Sequence, residues 1–70
     1  MTPLAPELTT LEETVLLLLA DGFGMREIAA RLGITERQAI RRRDTAREKL
    51  GRPTTTAAVA YLVTLRVVRP

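Results

Sequence analysis

Arg37, Gln38, Arg41, Arg42, Thr45 and Lys49 fall in one short stretch of a 70-residue chain, at spacings that an α-helix brings around to one side. Guanidinium and ammonium groups at such spacing bind phosphate. An arginine or an amide can also hold the edge of a base by two parallel hydrogen bonds. Acid–base and nucleophilic chemistry has no counterpart here. The chain has no cysteine and no histidine, so there is no thiolate, no imidazole base and no zinc-ligand cluster, and an enzyme is the least expected class. No cofactor is expected.

Charge distribution supports the same chemistry. The formal net charge is only +3, but from Gly33 to Arg52 seven Arg or Lys stand against three acids, whereas the remainder has four against five. Positive charge concentrated on one segment is what a polyanion requires, since each neutralised phosphate releases a condensed counterion and binding then weakens steeply with salt.

The elements that must position these side chains follow from local signals. Arg26 to Leu32 reads as a short helix with Ile28, Ala29 and Leu32 on one face, and Gly33 can take the positive φ that ends it. Ile34 then drops back toward the core. Thr35 with Gln38 three residues on is a capping box, which starts a second, arginine-rich helix over about 36–50. On a wheel of about 100° per residue, Ala39, Ala46 and Leu50 share the core arc. Arg37, Arg41, Thr45 and Glu48 lie opposite, with Gln38 and Asp44 on the flanks and Arg42 nearer the core edge. Arg43 falls on the core arc, so its stem is expected to lie along the core with its head reaching out.

Earlier in the chain, residues 1–7 carry two prolines and no periodic pattern and are expected to be a flexible terminus. Thr9 with Glu12 makes another capping box, and Leu11, Val15, Leu18 and Leu19 continue at helical spacing, so a first helix runs from about Thr10 to Ala20 with Leu8 stapling its entry. Phe23, after the break at Asp21-Gly22, is expected to anchor the turn rather than stack on a base. After Gly51, Thr54 or Thr55 caps a last helix of about 56–66. In that helix Val59, Leu62 and Val63 form the stripe expected to cover the core. Ala58, Tyr61, Leu65 and Val68 form a surplus stripe, expected to be a dimerisation face.

Size and composition bound the rest. Seventy residues make one domain, here 8–70 after the terminus, which at this size buries only about 60% of its unfolded surface. The longest apolar run, Val15 to Ala20, is far short of the roughly 20 residues needed to span a bilayer, so no membrane association is expected. A reducing, cytoplasmic location on the nucleoid is the expectation.

The pattern Leu8-Thr9 with Glu12, Val15-Leu16 with Leu18-Leu19-Ala20, Asp21-Gly22, Glu27-Ile28-Ala29, Leu32-Gly33-Ile34, Glu36-Arg37, Lys49-Leu50-Gly51 and Thr56 with Ala58-Val59 resembles the LuxR-type helix-turn-helix family, in particular its small stand-alone members of the GerE kind. The likeness covers about 60 of the 70 residues. It implies an all-α, four-helix DNA-binding domain of a bacterial transcription regulator, with the third helix in the major groove and the fourth used for dimerisation. Arg37, Gln38, Arg41, Arg42, Thr45 and Lys49 are then the expected DNA contacts, with Arg41 on guanine and Arg42 and Lys49 on phosphate. Ala39, Ile40, Arg42, Asp44, Leu17 and Gly24 depart from the family's usual residues, with Leu17 expected on the side of the first helix away from the core, so base preference must come from this chain's own side chains. The alternative is a protein-interaction module whose surplus apolar surface pairs with a larger LuxR-type regulator or the transcription machinery.

Overall fold

The computed structural model describes residues 8–68. The expected flexible terminus at 1–7 lies outside them, as does the side chain of Val68. Four helices occur in the order α1 (Thr10–Ala20), α2 (Met25–Leu32), α3 (Glu36–Lys49) and α4 (Thr55–Val68), and no strand is present among the described residues. The class is all-α.

Three of the four helices begin where a side chain satisfies orphan amides. Thr9 and Glu12 close a reciprocal box at α1, and Thr35 and Gln38 close one at α3, with all four bonds between 2.9 and 3.1 Å. Thr54 is the cap of α4, its hydroxyl accepting from the Ala57 amide at 3.1 Å. At α2 the cap is Gly24, which has no side chain to offer. Gly33 ends α2 at φ 69°, and the Ile34 amide reaches back to the Ala29 carbonyl at 3.0 Å. A left-handed residue there makes the connection to α3 only Gly33-Ile34-Thr35 long.

The centre of the fold is Leu16, fully buried among Ala46, Leu50, Ala58 and Leu62, so α1, α3 and α4 share one core. Helices α1 and α4 run antiparallel. Arg66 Nη2 reaches Glu13 at 2.8 Å near one end, and Leu19 and Ala20 share a groove of about 330 Å³ with Thr55, Thr56 and Val59 at the other. Leu8 packs on the core from the chain's entry, as its position before the cap predicts.

Three expectations about packing are corrected. Ala58, assigned to a dimerisation face, is 0% exposed and belongs to the core, because its small side chain lets α4 approach Leu16 closely. Val63, assigned to the core, is 37% exposed instead. Leu17, assigned to the outer side of α1, is half-buried and packs against the core cluster. Helix α4 is thus rotated from the expected phase. Tyr61 and Leu65 are half-buried, Tyr61 against the core and beneath Arg52, whose guanidinium carbon stands 3.8 Å from its ring centroid. Among the described residues the large apolar side chains left in water are Val63 and, at 76% exposure, Val67.

A candidate nucleic-acid interface

Helix α3 turns Ala39 and Ala46 fully into the core, which directs Arg37, Gln38, Arg41 and Arg42 to solvent. These four are exposed, and Thr45 on the next turn is half-buried. No carboxylate among the described residues lies within ion-pair distance of Arg37, Arg41 or Arg42. Most other cations are engaged. Arg31 pairs with Glu27 at 3.7 Å, Arg43 with Asp44 at 3.0 Å, Arg47 with Glu48 at 3.8 Å, Lys49 with Glu12 at 2.9 Å and Arg66 with Glu13 at 2.8 Å. The free positive charge of α3 is therefore concentrated in its first two turns.

The second half of α3 is tied inward. Arg43 has a half-buried side chain whose Nε donates to Asp44 Oδ1 at 3.0 Å, with Nη2 in ion-pair contact with the same oxygen, which matches the expected stem along the core but gives the head an intramolecular partner. Arg47 Nη1 donates to the Arg52 carbonyl at 2.9 Å and so staples the end of α3 to the following loop. Lys49, expected to meet phosphate, donates from Nζ to Glu12 Oε1 across 37 residues of sequence. The lysine is 37% exposed while the carboxylate is 3% exposed, so this pair is anchored from below.

The environment of Glu12 moves its titration. Burial opposes its ionisation, but the Thr9 amide, the Lys49 ammonium and the Thr9 hydroxyl outweigh that and hold its carboxyl below the ordinary value of 4.5. The charged form is the folded form.

Two further side chains lie ahead of α3. Arg26, in the first turn of α2, is exposed and has no carboxylate partner among the described residues. It was not singled out from sequence, and its signal was available: it is a cation with no acid three or four residues away in the direction that pairs best, its neighbour Glu27 being taken by Arg31. Phe23 is half-buried with the Arg31 guanidinium carbon 4.1 Å over its ring, so it is committed within the turn, as expected, and does not offer a free face to a base.

The groove between α1 and α4 is lined by Leu19, Ala20, Thr55, Thr56 and Val59, none of them titratable. Among the described residues no cluster of three or more potential metal ligands exists, and no helix is long and apolar enough to cross a membrane. Comparison with protein-family models, with curated proteins and with solved structures gives no match.

Proposed function

We propose that this chain is a DNA-binding transcription regulator of the LuxR and GerE kind, which sets the start of α3 in the major groove and binds as a homodimer. The observation that carries the proposal is the row Arg37, Arg41 and Arg42, exposed and without a carboxylate partner among the described residues, on the helix that follows a three-residue turn. Arginines held ready and unpaired lose no internal ion pair when they meet phosphate or a base edge. Arg26 adds a phosphate contact from α2. Arg41 is assigned to guanine and Arg42 to phosphate, while Lys49 serves first to hold α1 against α3.

Titration of labelled duplex DNA at several salt concentrations tests this. Arg41→Ala should cost about 1 to 3 kcal/mol on a preferred site and flatten the preference at one base pair, whereas Arg42→Ala should weaken all duplexes alike and shallow the salt slope by about one. An Arg41→Ala protein with unchanged affinity and preference overturns the assignment.

The dimer rests on Val63 and Val67, one turn apart on α4 and left in water. Burying apolar area recovers about 25 cal/mol per Å², and a two-fold axis beside this helix is the simplest cover. Such a dimer reads an imperfect palindrome with half-sites about 10 base pairs, roughly 34 Å, apart. In sedimentation the wild type should be a dimer at high micromolar concentration and Val67→Glu a monomer. Monomers in both would remove the homodimer and favour the reading in which the same valines meet a larger LuxR-type protein.

A further inference from the structure

We infer that the half-site read by α3 carries guanine, and that adenine is not read there by an amide pair. The inference rests on the DNA-binding proposal and comes from the hydrogen-bond inventory of the outward face. Arg37, Arg41 and Arg42 have donors only. Gln38 would ordinarily supply one donor and one acceptor, the combination that matches adenine N6 and N7. Here its Oε1 accepts from the Thr35 amide at 2.9 Å. The backbone N–H can only donate, so the atom facing it must be the oxygen, and the outward atom is the amide nitrogen.

With Oε1 turned back onto the helix start, Gln38 cannot present oxygen and nitrogen side by side to a base. It becomes one more donor. The nearby carboxylates lie later on α3 or off the face. Asp44, on the third turn, accepts from Arg43 Nε at Oδ1, and Glu48, two turns beyond Arg41, lies 3.8 Å from Arg47. Glu36 is off the face, about 140° around the helix from Arg41 at 100° per residue. Thr45, whose hydroxyl can do either, is half-buried one turn further on. The first two turns are therefore a donor-only surface.

Only one base edge in the major groove is matched by two adjacent donors. Guanine offers N7 and O6, both acceptors. Adenine pairs an acceptor with a donor, thymine places a methyl beside its single acceptor, and cytosine presents a donor that would face another donor. A surface of this kind discriminates for guanine by attraction and against cytosine and adenine by unmatched donors.

Selection of bound fragments from random duplex DNA with the full chain, followed by substitution within the selected site, tests the inference. Expected is enrichment of guanine at one or more positions of each half-site. Replacing that guanine with 7-deazaguanine, which deletes N7 alone, should weaken binding about tenfold. Inosine, which keeps N7 and O6 and removes only the minor-groove amine, should leave binding unchanged. Arg41→Ala, an exposed substitution whose folding is checked by circular dichroism, should abolish the 7-deazaguanine effect. Half-sites enriched only in adenine and thymine, binding without sequence preference, or equal binding to guanine and 7-deazaguanine would each overturn the guanine inference while leaving DNA binding standing. A folded protein that binds no duplex at low salt would overturn both.

Discussion

Leu16→Ala is expected to cost about 3 to 5 kcal/mol, the largest loss available from one side chain in this fold. Leu16 is fully buried and touches the inward residues of both α3 and α4, namely Ala46, Leu50, Ala58 and Leu62. Two of those four neighbours are alanines, which have no rotamer to swing into the space left behind, so the cavity stays open and the cost falls in the upper part of the range. A domain of this length has about 3.5 to 10 kcal/mol in total, so about a third or more would be lost. Urea denaturation followed by circular dichroism measures it. A loss below about 1 kcal/mol would mean that α4 can slide to close the gap and that the shared core is not what sets its position. Because the same cavity would unseat Ala46, duplex affinity should fall in step with the folded fraction rather than through any change at Arg41.

The elements that position the interface were legible because their signals are local. Thr9 with Glu12 and Thr35 with Gln38 lie three residues apart, and both boxes form as read, as does the left-handed Gly33. The arginine face of α3 was legible for a different reason. Apart from the half-buried Ile40 at its edge, the inward candidates are two alanines and the leucine that follows the helix, and these three share one narrow arc. Helix α4 gave no such solution. Nine of its fourteen residues are Ala, Val, Leu or Tyr between Ala57 and Val67, spread around the axis, and its phase is set by two things that lie far away in sequence. One is the small size of Ala58 against Leu16; the other is the reach of Arg66 to Glu13. Leu17, inside the run Val15 to Ala20, was misplaced for the same lack of pattern. The Lys49 partner was not legible, because a lysine at the end of a basic helix gives no sign that a buried carboxylate waits 37 residues earlier.

Glu12 is the second position where a single change has a large expected effect, and it links stability to the interface. The carboxylate accepts from the Thr9 amide at 3.0 Å and from Lys49 Nζ at 2.9 Å, with almost none of it in water. Hydrogen bonds to a charged group contribute about 1.5 to 3 kcal/mol each, but Thr9 is exposed and Lys49 is partly so, and both recover water when the carboxylate is gone. Glu12→Ala should therefore cost about 2 to 3 kcal/mol, less than a fully buried pair would. Glu12→Gln keeps an acceptor for Thr9 and loses only the charge, so it should cost less than Glu12→Ala and behave differently in acid. In the wild type the folded carboxyl titrates below its ordinary value of 4.5, so the unfolded chain takes up the proton first. The stabilisation is complete above that ordinary value and is lost as pH falls through the depressed one. Subtracting the Glu12→Gln stability curve from the wild-type curve between pH 7 and pH 3 removes the other carboxylates, and the difference should shrink toward the acid end. A difference that stays flat would show that Glu12 does not hold its charge against Lys49. The same variant releases Lys49 at the end of α3. If α3 lies on DNA as proposed, the freed ammonium becomes an additional phosphate contact, and Glu12→Gln should bind duplex of any sequence more tightly at low salt, with a salt slope steeper by about one. Tighter binding from a destabilised protein would separate the two roles of Lys49, since loss of folding alone can only weaken it.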